Sequence, residues 1–147
     1  MKTLLGIGFF FCWTALFGQK NLTLRIFYTI ENCKSKPNRV VAEEFSYPKH
    51  SGGQIFYLRA PGSAQELKVT ADDQSCISVN PKAGLWQIFT QEKRRHYGSI
   101  AEKDTACQRW KAEPNHIFEL REPFPDTLTL TVQRTCVRCR FPLPDRP

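Results

Sequence analysis

From Leu22 to Glu31, the residues Leu22, Leu24, Ile26, Tyr28 and Ile30 interleave with Thr23, Arg25, Phe27, Thr29 and Glu31. A helix would scatter such a pattern around its circumference. An extended chain sends successive side chains to opposite faces, so an unbroken period of two predicts a strand with one buried face. The pattern returns near the other end, where Leu128, Leu130 and Val132 alternate with Thr127, Thr129 and Thr131. Between them lie shorter β-rich runs bounded by turn residues. Val40–Tyr47 closes at Pro48, and Gln54–Arg59 follows the turn His50-Ser-Gly-Gly53. Leu67–Thr70 follows the Pro61-Gly62 turn, and Cys76–Val79 ends at Asn80-Pro81. Leu85–Thr90 follows Gly84, and Ile117–Arg121 is bounded by Pro123 and Pro125. About seven to eight short strands, with no alternation between strand and long helix, predict an all-β fold: an antiparallel β-sandwich or open barrel.

One helix is expected near residues 100–112. Ser99-Ile-Ala-Glu102 has the capping-box form, in which Ser and Glu satisfy two backbone amides that a helix N-terminus otherwise leaves without partners. Ile100, Cys107 and Trp110 then fall near one helical face, and Pro114 bounds the segment.

The first 18 residues have a different character. Met1–Gly18 carries one charge, Lys2, ahead of an apolar run from Leu4 to Phe17. That run is shorter than the roughly 20 apolar residues of a typical membrane span and fits a cleaved secretory signal peptide. The expected organisation is a signal peptide over 1–18, a single β-rich globular domain over 19–140 and a proline-rich C-terminal arm over 141–147. The implied location is secreted or periplasmic, without stable membrane insertion. Loss of Lys2 lowers the formal net charge of +7 by one, so the exported chain stays basic. Aromatic residues at 12% and charged residues at 24% suit a folded globule rather than a disordered chain.

Export places the cysteines in an oxidising compartment, where bridges form and persist. Cys12 lies in the leader, and the remaining cysteines are Cys33, Cys76, Cys107, Cys136 and Cys139. Their number is odd, so at most two intramolecular bridges form and one thiol is left over, free to link a second copy into a disulfide-bonded homodimer. Sequence leaves the connectivity open. Cys136-Val-Arg-Cys139 has the spacing of a redox dithiol, but such pairs sit at a helix N-terminus, and the proline-rich residues that follow cannot start a helix. Cys136 also falls on the apolar parity of the preceding strand and Cys139 on the other, so extended geometry points the two sulfurs apart. As a metal site the pair lacks a second half, and His50, His96 and His116 show no ligand spacing. Structural bridging is the favoured reading.

Lys93-Arg94-Arg95-His96-Tyr97 is the densest basic run. It follows a strand, where a loop is expected, and loops on a rigid sheet often carry binding function. Arg109 and Lys111, on the expected helix, extend the cationic set. Trp86, alternating with Ile88, is expected in the core, whereas Trp110 is expected to be more exposed. No catalytic signature emerges. Ser51 follows His50 in a glycine-rich turn without the strained elbow of a hydrolase nucleophile. Glu43, Glu44, Asp72, Asp73 and Asp126 are ordinary for strand faces and turns, and Asp72-Asp73 lacks the spaced oxygens of a calcium loop. Asn21-Leu22-Thr23 matches the N-glycosylation acceptor of a eukaryotic secretory pathway.

These features predict an exported, non-catalytic domain that binds another macromolecule, an acidic protein or an anionic glycan, through the Lys93–Tyr97 loop with Arg109 and Lys111. No cofactor, metal or nucleic acid is expected. The competing expectations are a thiol-redox protein using Cys136 and Cys139, or a disulfide-linked structural subunit.

Overall fold

A computed structural model describes residues 21–31, 33 and 47–139. The leader Met1–Gly18, the Val40–Tyr47 run as far as residue 46, and the C-terminal arm lie outside the described residues. Two four-stranded sheets pack face to face. The first contains β1 (Leu22–Ile30), β2 (Lys49–His50), β5 (Cys76–Val79) and β8 (Thr127–Arg134). The second has the order β4 (Glu66–Thr70), β3 (Ile55–Arg59), β6 (Gly84–Thr90) and β7 (His116–Leu120). The all-β sandwich expected from the alternation is observed, and most strand ends fall within a residue of the sequence reading. The two-residue β2 occupies part of what reads as a turn.

The alternating residues fill the core as their parity requires except at the end of β1, where Tyr28 and Ile30 remain half-exposed like Phe27 and Thr29. Leu22, Leu24 and Ile26 of β1, Ile77 and Val79 of β5, and Leu130 and Val132 of β8 form one wall of the core. Phe56 and Leu58 of β3, Trp86 and Ile88 of β6, and Phe118 and Leu120 of β7 form the other. Trp86 is buried as expected; its indole nitrogen donates to the Lys82 carbonyl at 2.8 Å, and its ring stacks on Phe118. Gly84 opens β6 with φ of 121°, and a Cβ there would come within 2.9 Å of the Pro61 ring, so both conformation and space require glycine.

Pairing direction departs from the antiparallel expectation in one place. β8 lies parallel to β1 along its length, from Thr23↔Thr127 to Ile30↔Arg134. The chain leaves β7 at the end of the sandwich where β1 begins, crosses sheets through Pro123–Asp126, and must then run the same way as β1. The Asp126 carbonyl accepts from the Thr23 amide at 2.9 Å, which fixes the start of that ladder.

On its other edge β1 changes partner midway. Leu22–Arg25 pair with β5, and Phe27 and Tyr28 pair with β2. At the break the Ile26 amide donates to the Ser75 carbonyl at 2.8 Å, and the Ile26 carbonyl accepts from Ser51 Oγ at 2.6 Å. The Ser51 amide in turn donates to Ser75 Oγ at 2.9 Å. Both serines are fully buried. Ser75 adopts φ of 64°, and Asp72 supports this turn by accepting the amides of Gln74 and Cys76. Ser51 thus completes backbone pairing that neither partner strand reaches.

The expected helix forms with a different start. A 3-10 turn covers Ala101–Lys103, and the α-helix, here α2, runs over Thr105–Ala112; Asp104 is its N-cap and accepts from the Cys107 amide at 3.2 Å. Ser99 and Glu102 do not form the capping box, because the Glu102 carboxylate is engaged by Tyr97 and Lys111. Ile100 is exposed rather than on the buried helical face. A further one-turn helix, α1 (Gln91–Arg94), replaces the expected loop directly after β6.

Candidate functional site

The basic run and α2 meet at the end of the sandwich where β1 and β8 finish. Phe89 explains how. It pairs in register with Tyr57 on the outward parity of its sheet, yet it is fully buried. The Arg94 guanidinium covers its ring at 4.0 Å from the centroid, and that of Arg59 lies at 5.0 Å. Both guanidinium groups converge on Glu66. Arg94 donates through Nε to Oε2 at 2.6 Å and through Nη2 to Oε1 at 2.5 Å, and Arg59 Nη2 reaches Oε1 at 2.6 Å. The Arg94 hydrogen bonds hold the Glu66 carboxyl below the usual carboxylate range, with burial opposing and Arg59 reinforcing. Arg94 Nη1 also donates to the Lys111 carbonyl at 2.8 Å, which ties this clamp to α2.

Lys93 departs most directly from the expected binding loop. Its residue surface is 2% exposed, and its ammonium donates to the carbonyls of Trp110 and Glu113 at 2.7 Å each. A cation there satisfies carbonyls that the end of α2 leaves open, where the helix dipole favours positive charge. Burial pushes the Lys93 amine below its ordinary value, with Glu113 partly offsetting it. Trp110 is likewise buried, contrary to the expectation of exposure. Its indole donates to Thr135 Oγ1 at 2.8 Å, and Tyr97 packs edge-on against its ring.

Lys111 donates to Glu102 Oε1 at 2.7 Å and to the Arg95 carbonyl at 3.1 Å. Glu102 also accepts the Tyr97 amide and faces His96 Nδ1 at 3.1 Å, and its carboxyl is drawn down to about 2, chiefly by Lys111. The Tyr97 hydroxyl donates to the Glu92 carbonyl, and burial pushes the phenol up. The basic set therefore divides. Lys93, Arg94 and Lys111 bind α2 to the sandwich, and Tyr97 packs beneath them. His96 is exposed beside Glu102, and the exposed side chains of Arg95 and Arg109 make no hydrogen bond or ion pair among the described residues.

Two grooves flank α2. Arg59, Glu66, Arg94, Glu102, Gln108 and Lys111 line one, and Glu31, Arg109, Trp110, Glu113, Thr135 and Arg138 line the other. Charges of both signs meet in each, and the carboxylates of the first are already saturated by their cations. Among the described residues no three His, Cys, Asp or Glu side chains are grouped to hold a metal ion, and no helix is long and apolar enough to cross a membrane.

Disulfides fasten the same end. Cys33–Cys136 joins the segment after β1 to the segment after β8, and Cys107–Cys139 joins α2 to that segment. Cys136 and Cys139 are thus bonded to different partners, and the Cys76 thiol is free and partly exposed. Two intramolecular bridges match an oxidising environment.

Arg59, Glu66, Phe89 and Glu102 were not singled out in the sequence as parts of this constellation. One signal was present: a hairpin around Pro61-Gly62 sets Arg59 opposite Glu66, as the register confirms. Comparison with family models, with curated proteins and with solved structures finds no match to this chain.

Proposed function

We propose that the chain is an exported, non-catalytic β-sandwich domain that binds an acidic protein surface through the α2 end. The observation that carries this reading is the division of the basic residues. Lys93, Arg94, Lys111 and the Cys107–Cys139 disulfide hold α2 in place, while Arg95, His96 and Arg109 remain at the surface around it. A fixed frame lowers the ordering cost of binding, and the unspent guanidinium groups of Arg95 and Arg109 steer an acidic partner toward it. Exposed Ile100, 67% accessible and near Arg95, His96 and Lys103 in the chain, favours a protein over a glycan, since it offers apolar contact within a cationic rim. Export rests on the leader-like residues 1–18 together with the bridges.

The test uses a poly-glutamate peptide as an acidic probe and heparin as a glycan probe. Peptide binding should weaken as salt rises, and Arg95→Glu with Arg109→Glu should weaken it about tenfold, the equivalent of 1.4 kcal/mol. Unchanged peptide affinity in that double variant would overturn the site, and heparin binding that far exceeds peptide binding would favour the glycan. The disulfide-linked subunit is a second reading, supported by the free Cys76. It predicts a reducible dimer that Cys76→Ser abolishes.

A further inference from the structure

We infer that Asn21 carries an N-linked glycan, placed far from the α2 end on the outside of the first sheet. The inference rests on the export reading above, because the modification requires passage through a eukaryotic secretory pathway. Of the five asparagines, Asn21 alone stands in an Asn-X-Ser/Thr context with X other than proline; Asn80 is followed by Pro81, and Asn32, Asn38 and Asn115 lack a hydroxyl residue two positions on.

The structure supplies what the motif alone does not. Asn21 is exposed immediately before β1, while the intervening Leu22 is fully buried and anchors the strand. Alternation along β1 assigns Leu22, Leu24 and Ile26 to the core, so Asn21, Thr23 and Arg25 take the outward parity. Around this position the outward face is polar and small: Thr23 is in register with Thr127 on one side and Ser78 on the other, and Arg25 with Thr129. Asn80, Pro125, Asp126 and Thr127, which share this end of the sandwich, are exposed as well. A bulky hydrophilic group therefore displaces no packed side chain.

The location also has a consequence for binding. β1 spans nine residues, or about 30 Å at the rise of an extended chain, between Asn21 and the end fastened by the disulfides. Arg94 and α1 cover the outward side of the second sheet, whereas the glycan would extend from the outward side of the first. It would shield the threonine-rich face and leave Arg95, His96 and Arg109 open.

The test is expression of the full chain in cultured eukaryotic cells, with recovery from the medium and intact-mass measurement before and after enzymatic removal of N-glycans. The expected result is a mass excess that the enzyme removes, leaving Asp in place of Asn21 in the peptide map. Asn21→Gln and Thr23→Ala should each lose the excess, Thr23→Ser should retain it, and salt-dependent peptide binding should be the same with and without it. Secreted protein of bare peptide mass would overturn the glycan inference alone. A chain retained in the cytosol without glycan would overturn both this inference and the export reading. Loss of secretion in Asn21→Gln with normal thermal unfolding of the deglycosylated wild type would still support the glycan, as an aid to export.

Discussion

Arg94 grips Glu66 with two charged hydrogen bonds, of 2.6 and 2.5 Å, across 28 residues of sequence. The pair spans from α1 to the edge strand β4 and lies against the ring of Phe89. Paired, bidentate carboxylates are among the stronger polar contacts, and removing one partner leaves a partly buried guanidinium without its counter-charge. Glu66→Gln should therefore cost about 1–3 kcal/mol, measured as a lower urea midpoint with unchanged slope. Arg94→Ala should cost a similar amount and uncover Phe89. A midpoint within error of wild type would show that the clamp adds nothing to stability.

The same pair sets an acid limit. Because the Glu66 carboxyl is held below its unfolded value, its contribution is fully present above the unfolded carboxylate pKa and is lost as pH falls through the folded one. Glu102, drawn down to about 2, acts in the same sense from a more exposed position. Wild-type stability should decline below about pH 4, the ordinary carboxylate range, and Glu66→Gln should show a shallower decline. Parallel pH profiles for the two proteins would contradict this.

Lys93→Met keeps much of the buried hydrocarbon and removes the ammonium that serves the carbonyls of Trp110 and Glu113. Its expected cost is about 1–3 kcal/mol, with amide exchange accelerated in α2 before the sheets. Uniform exchange across sheets and helix would instead mean that α2 and the sandwich open together.

Ser51→Ala leaves the Ile26 carbonyl without its buried donor at the point where β1 changes partner. The expected loss is about 1–3 kcal/mol in thermal or denaturant unfolding. An unaffected midpoint would show that backbone pairing at the break does not need the hydroxyl.

Thiol labelling under denaturing, non-reducing conditions should mark Cys76 and none of Cys33, Cys107, Cys136 or Cys139. Replacing Cys107 and Cys139 together by alanine should cost about 2–4 kcal/mol. Recovery of a peptide linking Cys136 to Cys139 would revive the redox reading.

Much of the sandwich was legible because burial on one side of a strand writes itself as alternation. Leu22–Ile30 and Thr127–Val132 identify both their strands, and alternation names the inward residues Leu22, Leu24, Ile26, Leu130 and Val132, while Tyr28 and Ile30, on the same parity, stay half-exposed. The candidate site was legible only in composition. Lys93–Tyr97 stands out as basic, but charge does not say whether a side chain faces water or a helix end. Lys93 is buried because the α2 carbonyls are there to receive it, and Trp110 because Tyr97 and Thr135 close over it. The apparent capping box at Ser99 was misleading for a similar reason: Glu102 has stronger partners in Lys111 and the Tyr97 amide than a local helix start could offer.

Sequence by itself determined the all-β class, the inward residues over Leu22–Ile26 and Leu128–Val132, and the basic character, since each depends on local periodicity or residue type. Tertiary structure alone decided the parallel pairing of β1 with β8, the bridges Cys33–Cys136 and Cys107–Cys139, and the division of the cations into clamps and free surface groups. Those depend on which distant segments meet. Alternation is the same for parallel and antiparallel partners, a thiol carries no mark of its partner, and an arginine reads the same in a chain whether its nearest neighbour is Glu66 or water.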